Sequence, residues 1–262
     1  MPLPHVDPSA VAPLCWLHGF TQTGHSAHRF RSILAGQREV IAPDLLRHGS
    51  NWDRGGSLDE IADAVVVGLP DGVVDLGGYS FGGRVALHVA LRHPERIRRL
   101  VLIGATRGIR EDTERNERRH RDEALAERIE LMGAAAFVDE WLRQPMFAGV
   151  PADPVERAAR EDQHASSLAA SLREAGTGTQ RWLGGEVASI SAPTLALAGS
   201  RDDRFAREAS CIANSVGGVF SLVPGSGHAA HLEQPQWTAV VVDAFLSASV
   251  DRPDANRQSD PE

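Results

Sequence analysis

Gly78-Tyr79-Ser80-Phe81-Gly82 stands directly after the apolar run Val73-Val74-Asp75-Leu76 and opens a helical pattern from Gly82 to His93. A serine between two glycines at a strand-to-helix junction has a physical reading. The turn is so sharp that the flanking positions leave no room for side chains, and the serine hydroxyl is left exposed at the carboxyl end of a sheet. The helix that starts there points its free amides at the same spot, so the amide of Phe81 can stabilise a developing negative charge. The pattern alone recurs by chance in Gly/Ser-rich turns, and it is the strand before and the helix after that make this one a nucleophile elbow.

An elbow predicts three further parts. After the run Leu14-Cys15-Trp16-Leu17 comes His18-Gly19-Phe20, a loop suited to a second oxyanion amide, for which Phe20 is the candidate. After Thr194-Leu195-Ala196-Leu197 comes Gly199-Ser200-Arg201-Asp202-Asp203, a carboxylate at a strand's carboxyl end, where open α/β sheets keep their sites. Gly225-Ser226-Gly227-His228 then places a histidine between the last strand-like run, Gly218 to Leu222, and the helical stretch Pro235 to Ser249. The catalytic set is therefore Ser80, Asp202 and His228, in the chain order Ser, Asp, His. Asp203 competes with Asp202 as the acid, and His18 and His231 read as polar loop residues, because a lone histidine is usually structural.

The short apolar runs, with Glu39 to Ala42 and Leu100 to Ile103 added, alternate with helical stretches such as Leu58 to Gly68, which is the signature of a doubly wound α/β sheet. Between Gly104 and Ile190 the alternation stops. Leu125, Ile129, Met132 and Ala136 recur at helical spacing, followed by Phe137 and Trp141, and predict a helical insertion. The expected organisation is a core of residues 1–104 and 190–250, a cap of 105–189, and a polar tail of 251–262.

Composition narrows the chemistry. The 262 residues carry 27 basic and 35 acidic side chains, a net charge of -8, which disfavours a nucleic-acid surface. Every basic residue is Arg. The lysine of phosphate-binding loops and that of pyridoxal enzymes are both missing. Cys15 and Cys211 have no metal-ligand spacing and read as two buried thiols, so no metal is expected. Neither a signal segment nor an apolar run long enough to span a membrane is present, which predicts a cytoplasmic protein.

The set LHGF, DLLRHG, GYSFGGR, LAGSRDDRF and GSGHAAHLE resembles the α/β-hydrolase superfamily over nearly the whole chain, which implies a mostly parallel central sheet flanked by helices with a helical cap. In the insertion, Glu117 to Leu125, Phe137-Val138-Asp139-Glu140-Trp141, Gln144-Pro145-Met146-Phe147 and Leu168 to Arg173 resemble the 2-succinyl-6-hydroxy-2,4-cyclohexadiene-1-carboxylate synthases of menaquinone biosynthesis. That resemblance implies a lyase that removes pyruvate from a tricarboxylate, with no metal or organic cofactor. It implies that Arg84, Arg118 and Arg160 point into the cleft and that Tyr79 and Trp141 line it. Planar guanidinium groups suit a small-molecule polycarboxylate because they bind carboxylates in a forked geometry.

Other readings stay open at this point. A run such as Arg115 to Asp122 is also what a solvated helix face looks like, held by pairs such as Glu117 with Arg121. The same triad serves a carboxylesterase, a thioesterase or a carbon-carbon bond hydrolase, and a non-catalytic ligand sensor could retain it. Arg47 stands where a small residue is common, and its guanidinium either closes part of the cleft or faces solvent.

Overall fold

The computed structural model describes residues 11–248. The start of the chain and the expected tail, 251–262, lie outside the described residues. Six strands form one sheet: β1 (Leu14–Leu17), β2 (Val40–Ile41), β3 (Val74–Tyr79), β4 (Ile97–Ile103), β5 (Thr194–Gly199) and β6 (Val219–Val223), in the order β2-β1-β3-β4-β5-β6. Every pairing among them is parallel.

Strands covered on both faces need apolar side chains in both directions, and that is why they read as unbroken apolar runs. Cys15 and Leu17 of β1 face one cluster with Leu76, Leu100 and Leu102, closed by α2 (Leu58–Val67), α3 (Phe81–Arg92) and α8 (Asp203–Val216). Leu14 and Trp16 face the other with Val101, Ile103 and Leu197, closed by α1 (His28–Ala35), the short α9 (Ala230–Glu233) and α10 (Pro235–Ser247). The edge strand β6 is the exception, with Val219, Phe220 and Leu222 exposed. Asp75 lies fully buried near the start of β3, where Arg38 and Arg98 neutralise it at 3.2 and 2.5 Å.

Between β4 and β5 come four helices, α4 (Asp112–Met132), α5 (Ala134–Leu142), α6 (Pro154–Glu161) and α7 (Ala165–Ala175). They carry a small core of their own in which Ala126, Ile129, Phe137, Val138, Leu168 and Leu172 meet, with Phe20 packed against it from the core below. The expected stripe is corrected here. Gly133 takes φ +80° and ends α4, so the periodicity restarts at Ala134, leaving Met132 and Ala136 outside the buried face.

Two further expectations change. Cys15 is buried on β1, but Cys211 is exposed, because α8 buries Ala209, Ile212 and Ala213 and turns Cys211 to the opposite side. Arg47, at φ +68°, forms a forked ion pair with Glu174 of α7 at 3.0 and 2.6 Å and ties the loop after β2 to the helices above. No helix among the described residues is long and apolar enough to cross a membrane.

Candidate active site

The elbow is built from backbone contacts. Ser80 joins β3 to α3 at φ 52°, ψ −106°, a conformation that non-glycine residues rarely adopt, and its amide is fixed to Ile103 O at 2.8 Å. A Cβ on Gly78 would lie 2.3 Å from Gly82 O, and one on Gly82 would lie 2.2 Å from Leu17 O. Only glycine lets the strand and helix approach this closely, and the strain stays because both neighbours are packed around it.

The three triad candidates come together from three strand ends. His228, in the loop after β6, has Nδ1 2.9 Å from Asp202 Oδ2 and Nε2 3.1 Å from Ser80 Oγ. A carboxylate at Nδ1 fixes the tautomer: Nδ1–H donates to Asp202, and the Nε2 lone pair faces the serine hydroxyl. Asp202 is also the N-cap of α8, where Oδ1 accepts from the Phe205 amide at 3.3 Å. Burial raises the pKa of this carboxyl, but the hydrogen bond and charge of His228, the Phe205 amide and Arg204 together outweigh it and hold the group below the usual carboxylate range. Asp203, one residue on, is the exposed first residue of α8 and takes no part.

The remaining histidines of this end of the sheet are neutral and structural. His18 accepts from the Leu45 amide at 3.0 Å through Nε2 and donates from Nδ1 to Gly19 O at 2.9 Å; burial lowers its pKa to about 4. His231 packs against Trp16, Phe30 and Tyr79, and burial, then Arg160, lowers it to about 3.

Phe81 is the first residue of α3, so its amide has no intrahelical acceptor. The Phe20 amide likewise has no protein acceptor among the described residues, whereas the amide of Gly19 beside it is taken up by Gln22 Oε1 at 2.7 Å. The Phe20 ring meets Trp141 and Phe137 edge-on at 5.5 and 6.3 Å. Tyr79 is buried with its ring 5.3 Å from that of His228, and burial drives its hydroxyl pKa upward. Trp141 stacks on Phe137 and approaches Phe147, completing an aromatic wall beside the triad.

The three arginines are already engaged with protein groups. Arg84 is buried and donates to Ala175 O at 2.8 Å; burial, and then the charge of Arg118, lowers its pKa to about 9, which leaves it cationic at neutral pH. Arg118 pairs through Nε with Asp122 Oδ1 at 2.7 Å. The i,i+4 pair of this run is therefore Arg118 with Asp122, and Asp122 is buried where a solvated face was the alternative. Arg160 is buried between Thr21 Oγ1 and Glu156 Oε1, both at 2.9 Å.

A cavity of about 420 Å³ is lined by two triad residues, Asp202 and His228, with Arg201, Glu233 and Met146. A second, of about 320 Å³, is lined by Arg160, Glu156, His231, Phe147 and Leu142 and by no triad residue. Glu233 was not singled out by the sequence: buried, it accepts from the Gly227 amide at 2.9 Å and so braces the loop that carries His228. Its signal lay in the stretch GSGHAAHLE itself, where an acidic residue follows the histidine by five positions. Among the described residues no group of three or more His, Cys, Asp or Glu side chains is placed to hold a metal ion.

The chain resembles known proteins over nearly its whole length. The alpha/beta hydrolase family matches residues 16–241. A Bacillus subtilis (strain 168) protein named "Putative 2-succinyl-6-hydroxy-2,4-cyclohexadiene-1-carboxylate synthase" is 33% identical over 92% of each chain. The 2-succinyl-6-hydroxy-2,4-cyclohexadiene-1-carboxylate synthase of Serratia proteamaculans is 28% identical over 89% of this chain and 92% of its own. Among solved structures, MenH from S. aureus superposes with a TM-score of 0.83 at 31% identity, over 92% of this chain and 95% of that one. A malate-bound esterase from Thermogutta terrifontis superposes with a TM-score of 0.74 over 90% and 89% of the two chains, and at 22% identity that likeness bears on the fold alone.

Proposed function

This chain belongs to the alpha/beta hydrolase family and, within it, to the group of the 2-succinyl-6-hydroxy-2,4-cyclohexadiene-1-carboxylate synthases, and from that membership we propose that it eliminates pyruvate from 2-succinyl-5-enolpyruvyl-6-hydroxy-3-cyclohexene-1-carboxylate. The observation that carries this reading is the match at 33% identity over 92% of both chains, extending through the insertion as well as the sheet.

In this reading Ser80 and His228 act together as the base. Ser80 Oγ takes the ring proton next to the succinyl carbonyl while His228 Nε2 takes the serine proton, and Asp202 orients the imidazole and stabilises its cation. The electron pair released from the C–H bond forms a ring double bond, the existing double bond shifts by one position, and the ring C–O bond to the enolpyruvyl group breaks. Pyruvate leaves as its enolate, which takes up the proton. The amides of Phe20 and Phe81 stabilise the negative charge that builds on the succinyl carbonyl oxygen.

Residues 105–189 act as a cap above a core formed by the rest of the chain. Arg84, Arg118 and Arg160 read the carboxylates of a small polyanionic substrate, and Tyr79 and Trp141 line the cleft. The reaction needs neither metal nor organic cofactor, no nucleic acid takes part, and the enzyme works in the cytoplasm.

The test is to generate the enolpyruvyl substrate in situ, add the protein, and follow the near-UV absorbance of the conjugated diene together with pyruvate release, beside Ser80→Ala and Arg118→Ala. Ser80-dependent formation of both products is expected. Turnover of simple aryl esters with no diene would assign the triad to a hydrolase instead.

A further inference from the structure

The loop that follows β1 is held in place from above. Thr21 is buried and β-branched, yet it sits at φ +66°, in the left-handed region that such residues avoid. Arg160 donates to its hydroxyl at 2.9 Å, and Gln163, just after α6, donates to its carbonyl oxygen. Glu156, one turn before Arg160, accepts from Arg160 Nη2 and from Gln22 Nε2 on the same oxygen, each at 2.9 Å, and from the Ala27 amide on the other at 3.0 Å. Gln22 then accepts from the Gly19 amide at 2.7 Å. A continuous run of hydrogen bonds thus leads from a cap guanidinium to the His18–Gly19 peptide, one peptide before the amide of Phe20, with the side chains of Arg160 and Glu156 only 5% and 10% exposed.

The run has no slack at its lower end. Gln22 also holds the Gly19–Phe20 peptide directly, because its own amide donates to Gly19 O at 3.1 Å, an oxygen that His18 Nδ1 meets at 2.9 Å as well. The bond from the Gly19 amide to Gln22 Oε1 removes that amide as a competing donor. Buried networks of this kind are worth more together than their separate bonds, because each member fixes the direction of the next.

We infer that Glu156 is a positioning residue that couples Arg160 to the amide of Phe20, so that a carboxylate drawn to Arg160 and the negative charge at the oxyanion amides are served by one buried network. The inference rests on reading the Phe20 amide as an oxyanion donor. It assigns to Glu156 a role in the rate of the chemical step, beyond neutralising an arginine.

The experiment compares wild type, Glu156→Gln, Gln22→Ala and the double variant. Its first readout is the rate at which a fluorophosphonate probe phosphonylates Ser80, a reaction that needs the triad and the oxyanion amides but not the natural substrate. The second is kcat and KM for the enolpyruvyl substrate, and the third is Tm, with rates read well below every Tm. Loss of one oxyanion donor costs on the order of 100-fold or more, and a misplaced one is expected to cost about 10-fold in phosphonylation and in kcat, with KM moving less than about 3-fold. The double variant should be no slower than the slower single variant, since the two residues act in one chain. Phosphonylation within about two-fold of wild type in both variants, multiplying effects in the double variant, or a loss that tracks lowered Tm, would each overturn the inference. So would a wild-type enzyme that the probe does not label. Normal labelling with the expected coupling but no diene would instead overturn the proposed lyase reaction and leave the role of Glu156 standing.

Discussion

Arg118 and Asp122, one turn apart on α4, are bound to each other at 2.7 Å, and the second oxygen of Asp122 accepts the amide of Gly178 at 3.0 Å. The carboxylate is 5% exposed and the guanidinium 30%, so the acid is the partner that depends on the pair. Removing one member of a buried pair leaves the other desolvated and uncompensated. Arg118→Ala should therefore raise KM for a polycarboxylate and also lower stability by about 1–2 kcal/mol, discounted for the solvent that reaches the arginine. The double variant Arg118→Ala, Asp122→Ala should recover part of that stability while remaining poor in KM. Urea titrations of the three proteins decide it: a double variant less stable than the single would show that Asp122 serves Gly178 alone.

Ser80 stores strain for its position. A non-glycine residue held at φ 52°, ψ −106° costs about 1–3 kcal/mol. Ser80→Gly should be more stable than Ser80→Ala by about 1 kcal/mol, and both should lose about 1000-fold or more in kcat, as expected when a base is removed. Thermal melts of the two inactive variants isolate the backbone term, because neither carries the hydroxyl. Equal melting temperatures would remove the argument for strain.

Three buried histidines give the fold an acid limit. His18 is lowered to about 4 and His48 and His231 each to about 3, in every case chiefly by burial. These groups are neutral when folded and titrate near their ordinary value, about 6.5, when unfolded. Their folded pKa is depressed, so below 6.5 the unfolded chain binds more protons and stability falls as the pH drops; above it their contribution is complete. Three such protons give a slope approaching about 4 kcal/mol per pH unit between pH 6 and 4. Denaturant titrations from pH 8 to 5 should be flat at the upper end and steep below. His231→Phe, which loses no hydrogen bond and keeps the ring contacts with Trp16 and Phe30, should reduce the slope by one proton. A stability independent of pH down to 5 would mean that the native rings protonate freely.

What the sequence made legible follows from how local each constraint is. Gly78 and Gly82 flank Ser80 because backbone would otherwise collide with side chain within five residues, and a pattern of five residues records that. Asp202 was favoured over Asp203 as the residue nearer the strand end, and it is Asp202, three residues past β5, that caps α8 and meets His228. The distant partners of the arginines were not legible, since Arg84 bonds to a carbonyl 91 residues away and Arg160 to a hydroxyl 139 residues away. No window of sequence carries such pairs. The exposed face of Cys211 was within reach: Phe205, Ala209, Ile212 and Val216 mark the apolar side of α8, and position 211 falls off it. The break at Gly133 is the intermediate case, a helix stop hidden inside a periodicity that continues across it.

That difference between the two cysteines is itself testable. Cys15 is fully buried on β1, where desolvation raises its thiol to about 12, and the thiolate is the reactive form. Cys211 is exposed on α8. An aromatic disulfide reagent should therefore titrate one thiol in the native protein and two in denaturant, and Cys211→Ser should abolish the native reaction. Because β1 lies between β2 and β3 and is paired to both, Cys15 becomes accessible only when the sheet opens, so its slow labelling measures the opening free energy of the strand that leads into His18, Gly19 and Phe20. Labelling of Cys15 at a rate far above that set by global unfolding would show that this strand opens by itself, and the amide of Phe20 would then lack the fixed support that an oxyanion donor requires.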